Sequence, residues 1–162
     1  KHVYEYFKKD KNLSIILDDG STKIGLESTI LQLVDNKIHI LRHGGISTEK
    51  IKENFPNKII NDKQKKYKKI IAPGMLTKHY SPTVPLRINA KKAKKNELLI
   101  GFGPNYDSPN LSYKGDLTEA ASNLFSFLAK YQKNYSKIAI APIPNIDIGR
   151  AINDRIKRAS KN

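Results

Sequence analysis

The sequence predicts a mixed α/β protein built in two parts. Three observations lead there. Two apolar strand patterns, 24–34 and 37–42, meet at Asp35-Asn36; a strand, strand, helix, strand, helix succession follows residue 83; and a lysine-rich stretch with no sustained apolar period separates them. The parts are expected at 1–56 and 83–162, with 57–82 as the connection between them.

Residues 13–17, Leu-Ser-Ile-Ile-Leu, read as a short strand closed by Asp18-Asp19-Gly20. The next two strands turn at Asp35-Asn36, a pair suited to a tight hairpin. In that register Thr29 lies opposite Arg42, so Ser28 and Arg42 meet at the open end of the hairpin. Ser47 or Thr48 caps a short helix that Pro56 ends. In the second part, 84–88 alternates, the lysines of 91–95 make a turn, and 98–103 has a buried-strand pattern. Asp116-Leu117-Thr118-Glu119 has the form of a capping box ahead of Ala120, Leu124, Phe127, Leu128 and Tyr131, which recur at helical spacing. Residues 137–141 form another strand, ended by Pro142 and Pro144, and 148–159 a final basic helix.

Composition narrows the function classes. The 162 residues hold 30 Lys and Arg against 15 Asp and Glu, a net charge of +15 that favours polyanionic partners such as nucleotides or RNA, although a solvated lysine-rich surface has the same composition. With no cysteine, disulfides and thiolate metal sites are excluded. No apolar run approaches the ~20 residues of a membrane helix, and residues 1–10 lack the apolar core of a signal peptide, so a cytoplasmic protein with no membrane partner is expected.

Three stretches carry a resemblance: Gly25-Leu26-Glu27-Ser28-Thr29-Ile30, Leu41-Arg42-His43-Gly44-Gly45-Ile46, and the run from Ala72-Pro73-Gly74 to His79-Tyr80-Ser81-Pro82. In this order they resemble the Sua5 branch of the Sua5/YrdC/YciO family, the threonylcarbamoyl-AMP synthases. Asp116-Leu117-Thr118-Glu119-Ala120-Ala121 and Ala151-Ile152-Asn153-Asp154-Arg155 extend the likeness over nearly the whole chain. The resemblance implies an α+β remnant of a YrdC-like catalytic domain followed by a small Rossmann-like Sua5 domain. It also implies an activity: condensation of L-threonine, bicarbonate and ATP to threonylcarbamoyl-AMP with release of pyrophosphate, for modification of adenosine 37 in transfer RNA.

Family members begin with the larger part of the catalytic domain, including a Lys/Arg-rich nucleotide segment that does not precede Lys1. The chain is therefore expected to be the C-terminal portion of a synthase, inactive or nearly so alone.

The family's site residues carry over one at a time. Ser28 matches the serine that contacts threonine, and a hydroxyl can donate to a carboxylate while accepting from an ammonium. Arg42 matches the arginine that contacts ATP, where a planar, permanently charged guanidinium grips phosphate. His79, Tyr80 and Ser81 match the end of the linker that contacts ATP and would close over the site, excluding water from a labile intermediate. His43 stands where many relatives have proline, which predicts a looser turn, and Thr77 where many have tyrosine. Mg2+ is expected only as the companion of the ATP phosphates.

Two weaker signals are discounted. Gly101-Phe102-Gly103-Pro104 lacks the third glycine of a dinucleotide loop and reads as a turn. His39 and His43, four apart on a strand, are separated by ~13 Å and cannot chelate one metal. A competing reading is a non-catalytic basic module that binds RNA or regulates, resting on the net charge and on Arg150, Arg155, Lys157 and Arg158 of the last helix; its binding would weaken steeply with salt. Transfer RNA or the downstream threonylcarbamoyl transferase complex are the macromolecular partners the resemblance suggests.

Overall fold

A computed structural model describes residues 2–62, 81–107 and 109–161. The architecture is mixed α/β, as the sequence predicted: two three-stranded sheets, each with its own apolar cluster.

The first sheet runs β1 (Ile30–Val34), β2 (Lys37–Arg42), β3 (Ile59–Asn61), in that order. β1 and β2 are antiparallel and turn at Asp35 and Asn36, whose φ values of 46° and 61° are those of the tight hairpin turn that this residue pair favours. Val34 faces Lys37 and Leu31 faces Ile40, as the predicted register requires. Leu41 then bulges, and Arg42 pairs with Ile30 rather than with Thr29. α2 (Thr48–Asn54) starts where expected, with the Ser47 hydroxyl accepting from the Lys50 amide at 3.2 Å. It lays Ile51 on Ile38 and Ile40, and Ile60 joins from β3.

β3 pairs parallel to β2 within the stretch read from sequence as linker. Two isoleucines amid polar neighbours were too short a signal to separate from it. The predicted strand at 13–17 does not form: Ile15 and Leu17 are exposed, and no strand among the described residues pairs with the segment. Near the start, His2–Phe7 forms a short helix, α1, that the sequence did not signal.

The second sheet is wholly parallel, in the order β4 (Leu86–Arg87), β6 (Ile138–Ile140), β5 (Leu98–Ile100). Its central strand is buried along its length, as expected of a parallel strand covered on both faces. α3 (Leu117–Tyr131) crosses from β5 to β6 and buries Ala120, Ala121, Leu124 and Leu128. Asp116 caps it by accepting from the Glu119 amide at 2.7 Å, whereas the Glu119 carboxylate accepts from Ser112 instead of closing the capping box. α4 (Gly149–Ala159) follows β6 and buries Ile152 and Ile156. The segment after β5 is a turn held by Asn110, which donates to the carbonyls of Gly103 and Tyr106, so the dinucleotide reading is set aside.

The two clusters are unequal. The second contains most of the buried apolar residues, and the first only Ile38, Ile40 and Ile51. Ile24 and Leu26, read from sequence as part of β1, pack on the second cluster instead. Gly25 makes that departure possible. Its φ of +64° lies in the left-handed region, and a Cβ there would come within 2.8 Å of the Ser122 backbone on α3. Ser122 fixes the path further by donating to the Thr22 carbonyl at 3.0 Å.

Candidate functional site

Residues 24–29 leave the hairpin and run between its open end and the second part of the chain. There the structure brings Ser28 and Arg42 together, as the hairpin register led one to expect. Arg42, 8% exposed, donates from Nε and Nη2 to the Ser28 carbonyl at 3.1 and 2.9 Å, and its Nη2 lies 3.2 Å from Ser28 Oγ. Ser28 itself is exposed. The site thus presents a hydroxyl to solvent with a buried guanidinium directly behind it. A hydroxyl in that position has its oxygen polarised by a cation, which suits recognition of a carboxylate or phosphate.

The turn after Arg42 is stitched to the same segment. The Gly45 amide donates to the Glu27 carbonyl at 3.0 Å, and Thr29 and Ile46 exchange hydrogen bonds, 2.6 Å from the Thr29 hydroxyl to the Ile46 carbonyl and 3.1 Å in return. Gly44 lies flat against Glu27 and Ser28, leaving no room for a Cβ. The looser turn predicted from His43 is therefore not found: backbone contacts hold it, and they do not depend on a proline. His43 Nε2 lies 3.0 Å from Asp62 Oδ1.

Sequence reasoning missed the third contributor. Arg155 of α4 is 3% exposed and reaches across to Glu27 Oε2 at 2.7 Å and to the His43 carbonyl at 3.0 Å. The run Ala151 to Arg155 carries part of the family resemblance, but nothing local says which residues it meets. A second arginine of α4, Arg150, grips both oxygens of Glu49 at 2.6 and 2.7 Å. Arg158 and Arg155 share Asp154 Oδ2, at 2.9 and 2.7 Å. Three of the four basic side chains expected to offer this helix to RNA are thus paired with carboxylates within the molecule.

Of the remaining candidates, His79 and Tyr80 lie outside the described residues. Ser81 is half-buried, with its hydroxyl oxygen enclosed and without a hydrogen-bond partner among the described residues. No group of three or more His, Cys, Asp or Glu among the described residues could hold a metal ion, and no described helix is long and apolar enough to cross a membrane.

Burial of Glu27 pushes its carboxyl up, but the hydrogen bond and charge of Arg155 outweigh this and hold it below the ordinary 4.5; Glu49 is held down in the same way, by Arg150 against its own desolvation. A carboxylate with a depressed folded pKa contributes stability that is complete above its unfolded value and is lost as pH falls through the folded one. The contacts made by α4 are therefore expected to hold unchanged from about pH 8 down to about pH 5 and to weaken below the unfolded value near 4.5. Urea midpoints measured from pH 7 to pH 3 should show a shallower acid decline in Glu27→Gln than in the parent. Equal declines would mean that this pair does not contribute.

The sequence model of the threonylcarbamoyl-AMP synthase C-terminal domain, Sua5_C, matches residues 46–161. The chain belongs to the Sua5 family. Its similarity extends upstream of that domain: it is 29% identical over 182 residues to the threonylcarbamoyl-AMP synthase of Pyrococcus abyssi, covering 98% of this chain and 52% of that protein. It is 28% identical over 173 residues to the enzyme of the same name from Bacillus subtilis, covering 93% of this chain and 50% of that one. The crystal structure of P. abyssi Sua5 complexed with L-threonine superposes with a TM-score of 0.78 at 26% identity, over 98% of this chain and 52% of that one. This Sua5 chain spans about half the length of the curated relatives it matches. Its Ser28 and Arg42 lie upstream of the matched C-terminal domain, whereas the arginines of α4 lie within it.

Proposed function

We propose that this chain supplies the C-terminal part of an L-threonylcarbamoyladenylate synthase acting in transfer RNA modification. The observation that carries the reading is the Ser28 hydroxyl set against the buried Arg42 guanidinium, in a protein whose structural relative was crystallised with L-threonine. In the proposed reaction the threonine amine and bicarbonate form a carbamate, with loss of water. A carbamate oxygen then attacks the α-phosphorus of ATP, and pyrophosphate leaves. No covalent enzyme intermediate is required, so the chain's task is to place reactants and balance charge. Ser28 receives threonine and Arg42 faces the nucleotide phosphates. His79, Tyr80 and Ser81 close over the ATP, and Mg2+ arrives with its phosphates.

The exposed Leu31 and Leu33 on one face of the outer strand β1 support the view that further polypeptide of a complete synthase packs there. The test compares this chain with a version extended upstream to the length of its relatives, supplied with threonine, bicarbonate and Mg-ATP. Pyrophosphate and threonylcarbamoyl-AMP are expected only from the extended protein, with Ser28→Ala raising its threonine requirement. Turnover by the 162 residues alone would refute the half-site reading. Absence of threonine-dependent pyrophosphate from both would refute the synthase reading.

A further inference from the structure

The contacts of Arg155 have a pattern that a simple fastening between two parts of a chain does not need. Glu27 immediately precedes Ser28, and His43 immediately follows Arg42. One guanidinium holds the neighbours of both site residues, donating from Nε to Glu27 Oε2 at 2.7 Å and from Nη2 to the His43 carbonyl at 3.0 Å. Its remaining nitrogen, Nη1, meets Asp154 Oδ2 at 2.7 Å, and Arg158 Nε holds that same oxygen at 2.9 Å. Three partners in three directions use the rigid fork of an arginine. A lysine has one nitrogen at the end of a flexible stem and cannot span Glu27 and the His43 carbonyl in the same geometry.

We propose that Arg155 is a positioning residue for the substrate site: gripping Glu27 and His43, it sets the separation of Ser28 from Arg42, so that the seating of α4 governs threonine binding. The inference rests on the assignment of Ser28 to threonine. Arg150 supplies the internal comparison. It too ties α4 to the first part of the chain. Its Nε approaches Asp62 Oδ2 at 3.7 Å, but its short contacts are to Glu49 on α2, which adjoins neither Ser28 nor Arg42, so Glu49→Gln perturbs a fastening away from the site. A structural fastening predicts that loss of either contact lowers stability and leaves threonine affinity alone. A positioning role predicts that the two differ.

The experiment uses the protein extended upstream to the length of its relatives and measures threonine KM, kcat, Tm and amide hydrogen exchange. The variants are Arg155→Lys, Glu27→Gln, Glu49→Gln and Ser28→Ala. Arg155→Lys is expected to raise threonine KM roughly tenfold, the scale of a misdirected charge-assisted contact. Glu27→Gln, which keeps an acceptor for Arg155, should raise it less, and Glu49→Gln should leave it unchanged. Exchange at 27–29 and 43–46 should quicken in Arg155→Lys and not in Glu49→Gln.

The proposal is overturned if Arg155→Lys leaves threonine KM at the parent value, whatever happens to Tm, or if Glu49→Gln raises it equally. Should Arg155→Lys fail to fold, Glu27→Gln carries the test, and an unchanged KM in it overturns the proposal. If Ser28→Ala has no effect on threonine KM, the threonine assignment itself has failed. Exchange at 27–29 and 43–46 then decides whether Arg155 fixes these segments, and unchanged rates overturn that as well.

Discussion

Gly44→Ala is expected to lower threonylcarbamoyl-AMP formation in the extended protein by about 100-fold or more while the second sheet and its helices stay folded. A Cβ on Gly44 would stand 2.3 Å from the Glu27 carbonyl oxygen, 2.4 Å from the Ser28 carbonyl carbon and 2.5 Å from its oxygen. All three are backbone atoms, so no side chain can swing away. The 27–28 segment has to retreat from the turn, by roughly 1 Å, a displacement able to cost about 100-fold in rate when it falls on a substrate-positioning group. Retreat also pulls apart the Gly45 to Glu27 hydrogen bond and the Arg42 contacts with Ser28. Gly44 has no left-handed φ, so without the contact an alanine would stabilise slightly by restricting the unfolded chain. The clash decides the sign. Pyrophosphate release and a circular-dichroism melt check both halves of the expectation, and near-parental activity in Gly44→Ala would show that the close approach does not shape the site.

Arg42→Ala should have the next largest effect, a fall in kcat of about 100-fold or more, as for removal of one preorganised donor from a developing charge. Two losses combine. The cation assigned to the nucleotide disappears, and the Ser28 carbonyl loses the two hydrogen bonds that fix it from below. Arg42→Lys separates them, because it returns the charge without the planar pair of donors. It should recover part of the ATP affinity and little of the threonine affinity. Full activity in Arg42→Lys would show that charge alone suffices, and unchanged kinetics in Arg42→Ala would remove this residue from the reaction.

What could be read from the sequence was local. Asp35-Asn36 specified its turn, Ser47 and Asp116 specified their caps, and the apolar spacing of 117–131 specified a buried helix face, because each signal lies within a few residues of its effect. The meeting of Ser28 with Arg42 was legible for the same reason, since a hairpin converts sequence distance into proximity by counting from its turn. Alternation failed at 24–29, where it gave the wrong partner: Ile24 and Leu26 are partly buried, but against the second cluster rather than in a longer β1. The bulge at Leu41 has no signature in residue type. Arg150 and Arg155 of α4 read as part of a solvated basic face, because the carboxylates they reach across to, Glu49 and Glu27, stand 101 and 128 residues away.

That separation gives the site a history during synthesis. The first cluster has only three buried apolar residues, two on β2 and one on α2, and its part of the chain is held by an arginine that comes 112 residues after His43. At about 5–20 residues per second, Arg155 joins the growing chain roughly 6–22 s after the turn it will hold. For that interval the segment carrying Ser28 and the end of β2 carrying Arg42 lack this fastening. The Ser28 and Arg42 site is therefore completed only when α4 folds back onto residues 27 and 43.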